Sequence, residues 1–180
     1  MHSRLATAIS VLALAAASAA HAQEAPKFAR IFGDHAVLQR GASANVWGTA
    51  APAQAVTVSL DGQSATATAD AKGKWRAVLP GLKPGGPYTL TASAGGTTTT
   101  LNDVMVGDVF LCSGQSNMQF PAKLATGAWG EIGGSANARM RFIKIENDSE
   151  PLPLDDLKTP AAWKVAGPET TGDISAVCYY

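Results

Sequence analysis

Between Phe28 and Leu101 apolar residues recur at every second position in short runs, and each run is closed by a turn signal. A period of two cannot line one face of a helix, so this half of the chain must fold as strands with one face buried. Val56 to Leu60 alternates Val-Thr-Val-Ser-Leu and runs into Asp61-Gly62, the dipeptide whose positive φ angles suit a type I′ hairpin. Ser64 to Ala69 alternates Thr and Ala, and Asp70-Ala71-Lys72-Gly73 turns the chain into Trp75 to Leu79. A Pro84-Gly85-Gly86-Pro87 break, Tyr88 to Ala94, a Gly95-Gly96 turn and Thr97 to Leu101 complete the series. Together with Asn45 to Gly48 these are six runs, and about seven strands fit between Phe28 and Leu101, the number and spacing of an immunoglobulin-like antiparallel β-sandwich. Trp75 alternates with Ala77 and Leu79 as a core residue does. Core filling is therefore expected for Trp47, Trp75 and Tyr88, ahead of the competing reading of a platform that stacks on sugars.

The pattern changes at Val104. Val104 to Cys112 is an apolar, β-branched run interrupted only by Gly107 and Asp108, which predicts a strand buried on both faces of an α/β sheet. It stops in Ser113-Gly114-Gln115-Ser116-Asn117. Ligands of open α/β sheets bind where strands end, so Ser116, on the turn after that strand, is a candidate nucleophile. A helix starting there would aim free N–H groups at an oxyanion forming beside its hydroxyl. The G-x-S-x-G elbow is not met, because Asn117 and Met118 follow the serine. A Ser- and Gly-rich structural turn is the competing reading.

The block GDVFLCSGQSNMQF resembles the nucleophile region of the sialate O-acetylesterase family, a group of SGNH-type esterases. The resemblance extends upstream to DHAVLQR at Asp34 to Arg40, VWGTA at Val46 to Ala50, DAKGKWRAVLP at Asp70 to Pro80 and GGPYTL at Gly85 to Leu90. It implies Ser116 as nucleophile with its own N–H as one oxyanion donor, and Gly114, Gln115 and Asn117 as supports of the turn. It also implies an Asp-x-x-His element and further oxyanion donors far downstream, to which no residue of this chain is assigned.

Other features bound the function. The 180 residues carry 14 basic and 14 acidic side chains and are 46% apolar, a balance that speaks against a nucleic-acid-binding surface. Residues 1–22, with Arg4, an apolar core from Leu5 to Ala17 and Ala20-His21-Ala22, read as a cleaved secretory leader, too short for a membrane span. The exported compartment would permit a Cys112–Cys178 bridge, though two buried free thiols fit equally well. Cys112 makes a poor nucleophile, since no His or Lys lies near it in sequence. His35 is expected at a turn or a domain interface, and Glu150, Asp155 and Asp156 on a solvated loop.

Past the serine turn, Pro121 to Ala138 predicts a helix broken by glycines, and Met140 to Ile145 a second parallel strand of the α/β sheet. Trp163 to Val165 reads as a short strand, and Asp173 as the N-cap of a helix beginning at Ile174. The expected organisation is a leader at 1–22, a β-sandwich at 23–102, and the truncated amino-terminal part of an SGNH-type, flavodoxin-like α/β hydrolase domain at 103–180. The expected function is a serine esterase removing O-acetyl groups from sialic acids or related sugars, inactive as this piece alone. It needs no metal or cofactor, and neither nucleic acid nor membrane as partner. The alternative is a secreted, non-catalytic carbohydrate-binding or scaffolding β-sandwich.

Overall fold

The structure is a computed structural model that describes residues 24–41 and 43–180, so the leader lies outside the described residues. Eight strands come first: β1 (Lys27–Phe28), β2 (Val37–Gln39), β3 (Ala44–Thr49), β4 (Ala55–Leu60), β5 (Gln63–Thr68), β6 (Lys74–Leu79), β7 (Gly85–Ala94) and β8 (Thr97–Gly107). They form a three-stranded sheet, β1-β3-β6, and a five-stranded sheet, β2-β8-β7-β4-β5. The alternation in sequence becomes alternation in space: along β6, Trp75, Ala77 and Leu79 are buried while Lys74, Arg76 and Val78 face water. Both sheets turn such faces onto one shared core. Val46 and Leu79 from one sheet, and Val56, Val58, Leu90 and Val104 from the other, are fully buried there. Each such side chain contributes roughly 1.5–3 kcal/mol by leaving water.

Asp61 and Gly62 have φ of 46° and 74°, so the β4–β5 turn has the conformation its dipeptide demands. Gly48 permits a closer approach. A Cβ there would sit 1.9 Å from the Lys27 carbonyl oxygen and 2.8 Å from the Trp75 ring, so β1 can lie along β3 only because position 48 has no side chain.

Two expectations about this unit are corrected. It is not wholly antiparallel: β2 runs parallel to β8, Val37 opposite Met105. The chain enters β2 from a turn pinned where the His35 N–H donates to Asn102 O (3.0 Å), so it is laid along β8 in the same direction. Nor is Val104 to Cys112 one buried strand. Val104 to Gly107 finish β8, which passes through 102/103 without a break, and residues from Asp108 to Gly114 have no regular structure.

The rest of the chain comprises α1 (Ser116–Gln119), a 3-10 turn (Ala122–Leu124), α2 (Ala128–Gly133), β9 (Asn137–Ile143), β10 (Trp163–Ala166), a second 3-10 turn (Thr171–Asp173) and α3 (Ala176–Tyr179). The expected glycine-broken helix is thus three short pieces, with Gly127 left-handed at the start of α2. The Met140 to Ile145 segment does not join a parallel sheet. Its strand, β9, pairs antiparallel with β10, Phe142 opposite Lys164, which closes the polar loop between them into a long hairpin. Asp173 does not cap a helix at Ile174: Ser175 stays extended to bridge Pro121, and α3 starts one residue later.

Ala122, Phe142 and Ile174 form a second, much smaller core. Polar bonds sew this part to the sheets. Trp163 Nε1 donates to Ile31 O (2.8 Å), the Arg30 N–H donates to Asp156 Oδ1 (2.8 Å), and Arg141 Nη2 donates to Asp103 Oδ1 (2.8 Å). Among the described residues no helix is long and apolar enough to cross a membrane.

Candidate active site

The chain leaves β8 under tight control. Arg40 Nε donates to Asp108 Oδ1 (2.7 Å), and the Val109 N–H donates to Gln39 Oε1 (2.8 Å), so both partners belong to the end of β2. The Arg40 hydrogen bond holds the Asp108 carboxyl below the usual carboxylate range. Beyond Val109 that control ends. Phe110 and Leu111 are 84% and 93% exposed, an unusual position for two large apolar side chains.

Order returns at Cys112, which is disulfide-bonded to Cys178 with its Cα 5.9 Å away. The bridge realises one of the two alternatives that sequence left open. Three residues later the turn closes on itself: Gln115 O accepts from the Met118 N–H (2.9 Å) and the Gln119 N–H (3.3 Å). A Cβ at Gly114 would lie 3.2 Å from the Met118 Cβ, so the turn is packed against its own helix.

Ser116 is the first residue of α1, and it is exposed. Among the described residues neither its N–H nor that of Asn117 has an acceptor, because the first amides of a helix have no carbonyl one turn earlier. The helix expected to follow the serine is α1, a single turn of four residues, too short for much of a macrodipole. What remains is a solvent-facing hydroxyl with two free backbone donors on the same short turn. Gly114, Gln115 and Asn117 surround it as backbone; Gln115 precedes the helix without capping it through its side chain.

A serine hydroxyl needs a base to attack an ester, and the base needs an orienting partner. His35 is the one histidine of the described residues, and its Nδ1 lies 2.6 Å from Asp103 Oδ2. Asp103 is also bonded to Arg141, so His35 is part of the seam between the sheets and the β9–β10 hairpin. The three acids of the loop are engaged elsewhere: Glu150 with Lys158, Asp155 with Lys74, and Asp156 with the Arg30 N–H. A cavity of about 350 Å³ between Ile31, Trp47 and the Leu154 to Thr159 stretch of that loop does not include the serine.

Trp75 follows the core reading, and Tyr88 packs half-buried against the core. Trp47 does not: it alternates with the buried Val46 and Gly48 on β3, so its half-buried ring lies outside the core, edge-on to Phe32 with centroids 4.7 Å apart and the Arg76 guanidinium 5.7 Å above it. The sequence reading missed the contribution of the chain's last residues to the serine turn. Cys178 was the one available signal, whereas Ser175, whose Oγ donates to Met118 Sδ (3.1 Å), gave none.

Comparison with known proteins gives these features a context. No family model matches the chain. In structure it is similar to a carbohydrate acetylesterase from Xanthomonas citri, with a TM-score of 0.82 and 38% identity, over 86% of this chain and 35% of that one. The unit of two sheets followed by a serine turn is thus one found in a carbohydrate esterase. More particularly, the chain is 34% identical over 171 residues to the sialate O-acetylesterase of Mus musculus, covering 85% of this chain and 32% of that protein. The Homo sapiens sialate O-acetylesterase is 32% identical over the same share of this chain and 33% of its own length. The chain is therefore a homologue of the sialate O-acetylesterases along most of its length, and it spans about a third of the proteins it matches.

Proposed function

We propose that this chain carries the nucleophile of an exported esterase that removes O-acetyl groups from sugars, sialic acid foremost. The reading rests on one observation above others: Ser116 stands exposed at the head of a turn anchored on both sides, with two unpaired backbone N–H groups beside it. In the proposed reaction Ser116 Oγ attacks the acetyl carbonyl and its proton passes to a base. The oxyanion takes hydrogen bonds from backbone N–H groups; as it collapses, the bond from the acetyl carbon to the sugar oxygen breaks and that oxygen takes the proton from the base, leaving acetyl-serine. Water, losing a proton to the same base, then adds to the acetyl carbon, and the bond to Ser116 Oγ breaks to give acetate and free serine. His35 is committed to Asp103, so the proposal assigns the base to the Asp-x-x-His element that the family resemblance implies, outside the described residues.

The proposal extends to architecture. The two sheets correspond to an immunoglobulin-like sandwich, and the stretch from Asp108 onward to the opening of an SGNH-type α/β domain. Exposure of Phe110, Leu111, Trp129 and Val177 supports this, since such side chains suit contact with further layers of protein.

The test is acetate release from O-acetylated sugars by the product of the full reading frame that contains this chain. Ser116→Ala is expected to lower kcat by roughly a thousandfold or more. A variant as active as the parent eliminates the nucleophile.

A further inference from the structure

We infer that the stretch Ile174–Cys178, at the start of α3, is a positioning clamp for Ser116, with the Cys112–Cys178 bridge as its fixed end. This rests on the reading of Ser116 as nucleophile. The serine turn lies outside every sheet: residues from Asp108 to Gly114 make no ladder, and α1 is one turn long. Nothing in its own segment is long enough to hold a hydroxyl in place.

Beyond Val109, which Gln39 still holds, its anchors come from one place. Upstream of the serine, Cys112 is bonded to Cys178. Downstream, Ser175 Oγ donates to Met118 Sδ (3.1 Å), the Ala176 N–H donates to Phe120 O (2.8 Å), and the Ala122 N–H donates to Ile174 O (2.8 Å). Four of these five consecutive residues, all but Val177, therefore grip both flanks of Ser116 from far along the sequence, the Met118 contact alone spanning 57 positions. The stretch is itself seated, because Ile174 and Ala176 are buried and Ile174 shares the small core with Phe142.

The consequence is catalytic rather than merely structural. A nucleophile must be held to within about 0.5 Å of its attacking position, and a displacement of about 1 Å costs on the order of a hundredfold in rate. Opening the bridge frees the flank between Val109 and Ser116, while the sheets, in which neither cysteine lies, keep their core. The expected defect is therefore in kcat, with sugar binding and global folding little changed.

The experiment uses the full-frame enzyme and compares it with three variants: Ser116→Ala, Ser175→Ala, and Cys112→Ala combined with Cys178→Ala. The wild type is also measured before and after dithiothreitol, with thiol counting to verify that the bridge opens. Readouts are kcat and KM on an aryl acetate, the rate of inactivation by a serine-directed phosphonate, and far-ultraviolet circular dichroism. The clamp predicts a kcat at least tenfold lower without the bridge, a parallel fall in phosphonylation rate, KM within about twofold, and a smaller loss of the same kind for Ser175→Ala. If the paired cysteine variant fails to fold, the dithiothreitol comparison on folded enzyme decides. Wild-type kcat with the bridge open overturns the clamp and leaves the nucleophile standing, provided that Ser116→Ala is inactive. An active Ser116→Ala enzyme overturns both.

Discussion

His35 Nδ1 lies 2.6 Å from Asp103 Oδ2, and both residues sit in the left-handed region, at φ of 67° and 54°. Two strained non-glycine residues are thus spent on one contact, and the second oxygen of Asp103 takes Arg141, whose side chain is only 3% exposed. Among the described residues two further nitrogens of that guanidinium, Nε and Nη1, are buried without a partner, so there Asp103 carries most of the compensation of a buried charge. Asp103→Asn, which tolerates the same backbone, is expected to destabilise the chain by about 1–3 kcal/mol in urea unfolding. His35→Asn is expected to cost less, because the imidazole is half-exposed and its loss strands no buried cation. Equal and small effects would mean that the seam is held by packing alone.

This contact also shows where sequence reasoning reaches its limit. His35, expected at a turn or a domain interface from its place in the first strands, lies on a turn and touches Asp103, which also holds Arg141 of the β9–β10 hairpin. Its partner could not be named, because His35 and Asp103 are 68 residues apart on elements whose pairing no local pattern encodes. The hairpin strands were legible for the opposite reason: period two and Asp61-Gly62 are local, and each settles its own geometry. Val104 to Cys112 misled because one apolar run serves two surroundings. Val104 and Val106 fill the shared core, while Phe110 and Leu111 meet water, and composition is blind to that change. Ser116 was legible as a residue on a turn; the grip of Ile174–Cys178 upon that turn was not.

Gly48 offers a sharper test of the two-sheet unit. A methyl group there meets a backbone carbonyl at 1.9 Å, and backbone, unlike the tip of a flexible side chain, cannot swing aside. Gly48→Ala must therefore push β1 off β3 or shift Trp75 out of the core. The expected cost is about 2 kcal/mol or more, larger than the sub-kilocalorie effect of the same change at an open strand position. Denaturant midpoints with an unchanged slope would check it.

Leu111, at 93% exposure, should behave as a surface residue in the isolated chain despite its apolar surroundings in sequence. Leu111→Asp is expected to leave the unfolding free energy within about 0.5 kcal/mol of the parent while reducing self-association, measured by light scattering against concentration. The same substitution in the full-frame enzyme should be damaging if this segment becomes a covered strand there. Tolerance in both would argue against the proposed α/β layer.

Asp173 links the two 3-10 turns through Lys123, 2.9 Å away, and reaches Lys164 at 3.6 Å. The Lys123 hydrogen bond, with the charges of both lysines, holds its carboxyl below the ordinary carboxylate value. A carboxyl whose folded pKa lies under its unfolded value near 3.9 contributes fully above that unfolded value, and the contribution disappears as pH falls through the lowered folded one. Asp173→Asn should therefore be less stable than the parent above about pH 5, and the gap should close on acidification below about pH 4. The group is half-exposed, so the gap should be small and should shrink in about 1 M salt. Thermal unfolding of both proteins between about pH 2 and pH 7 reads it directly. A gap that persists undiminished at the acid end would trace the effect to lost packing around Asp173 and not to its charge.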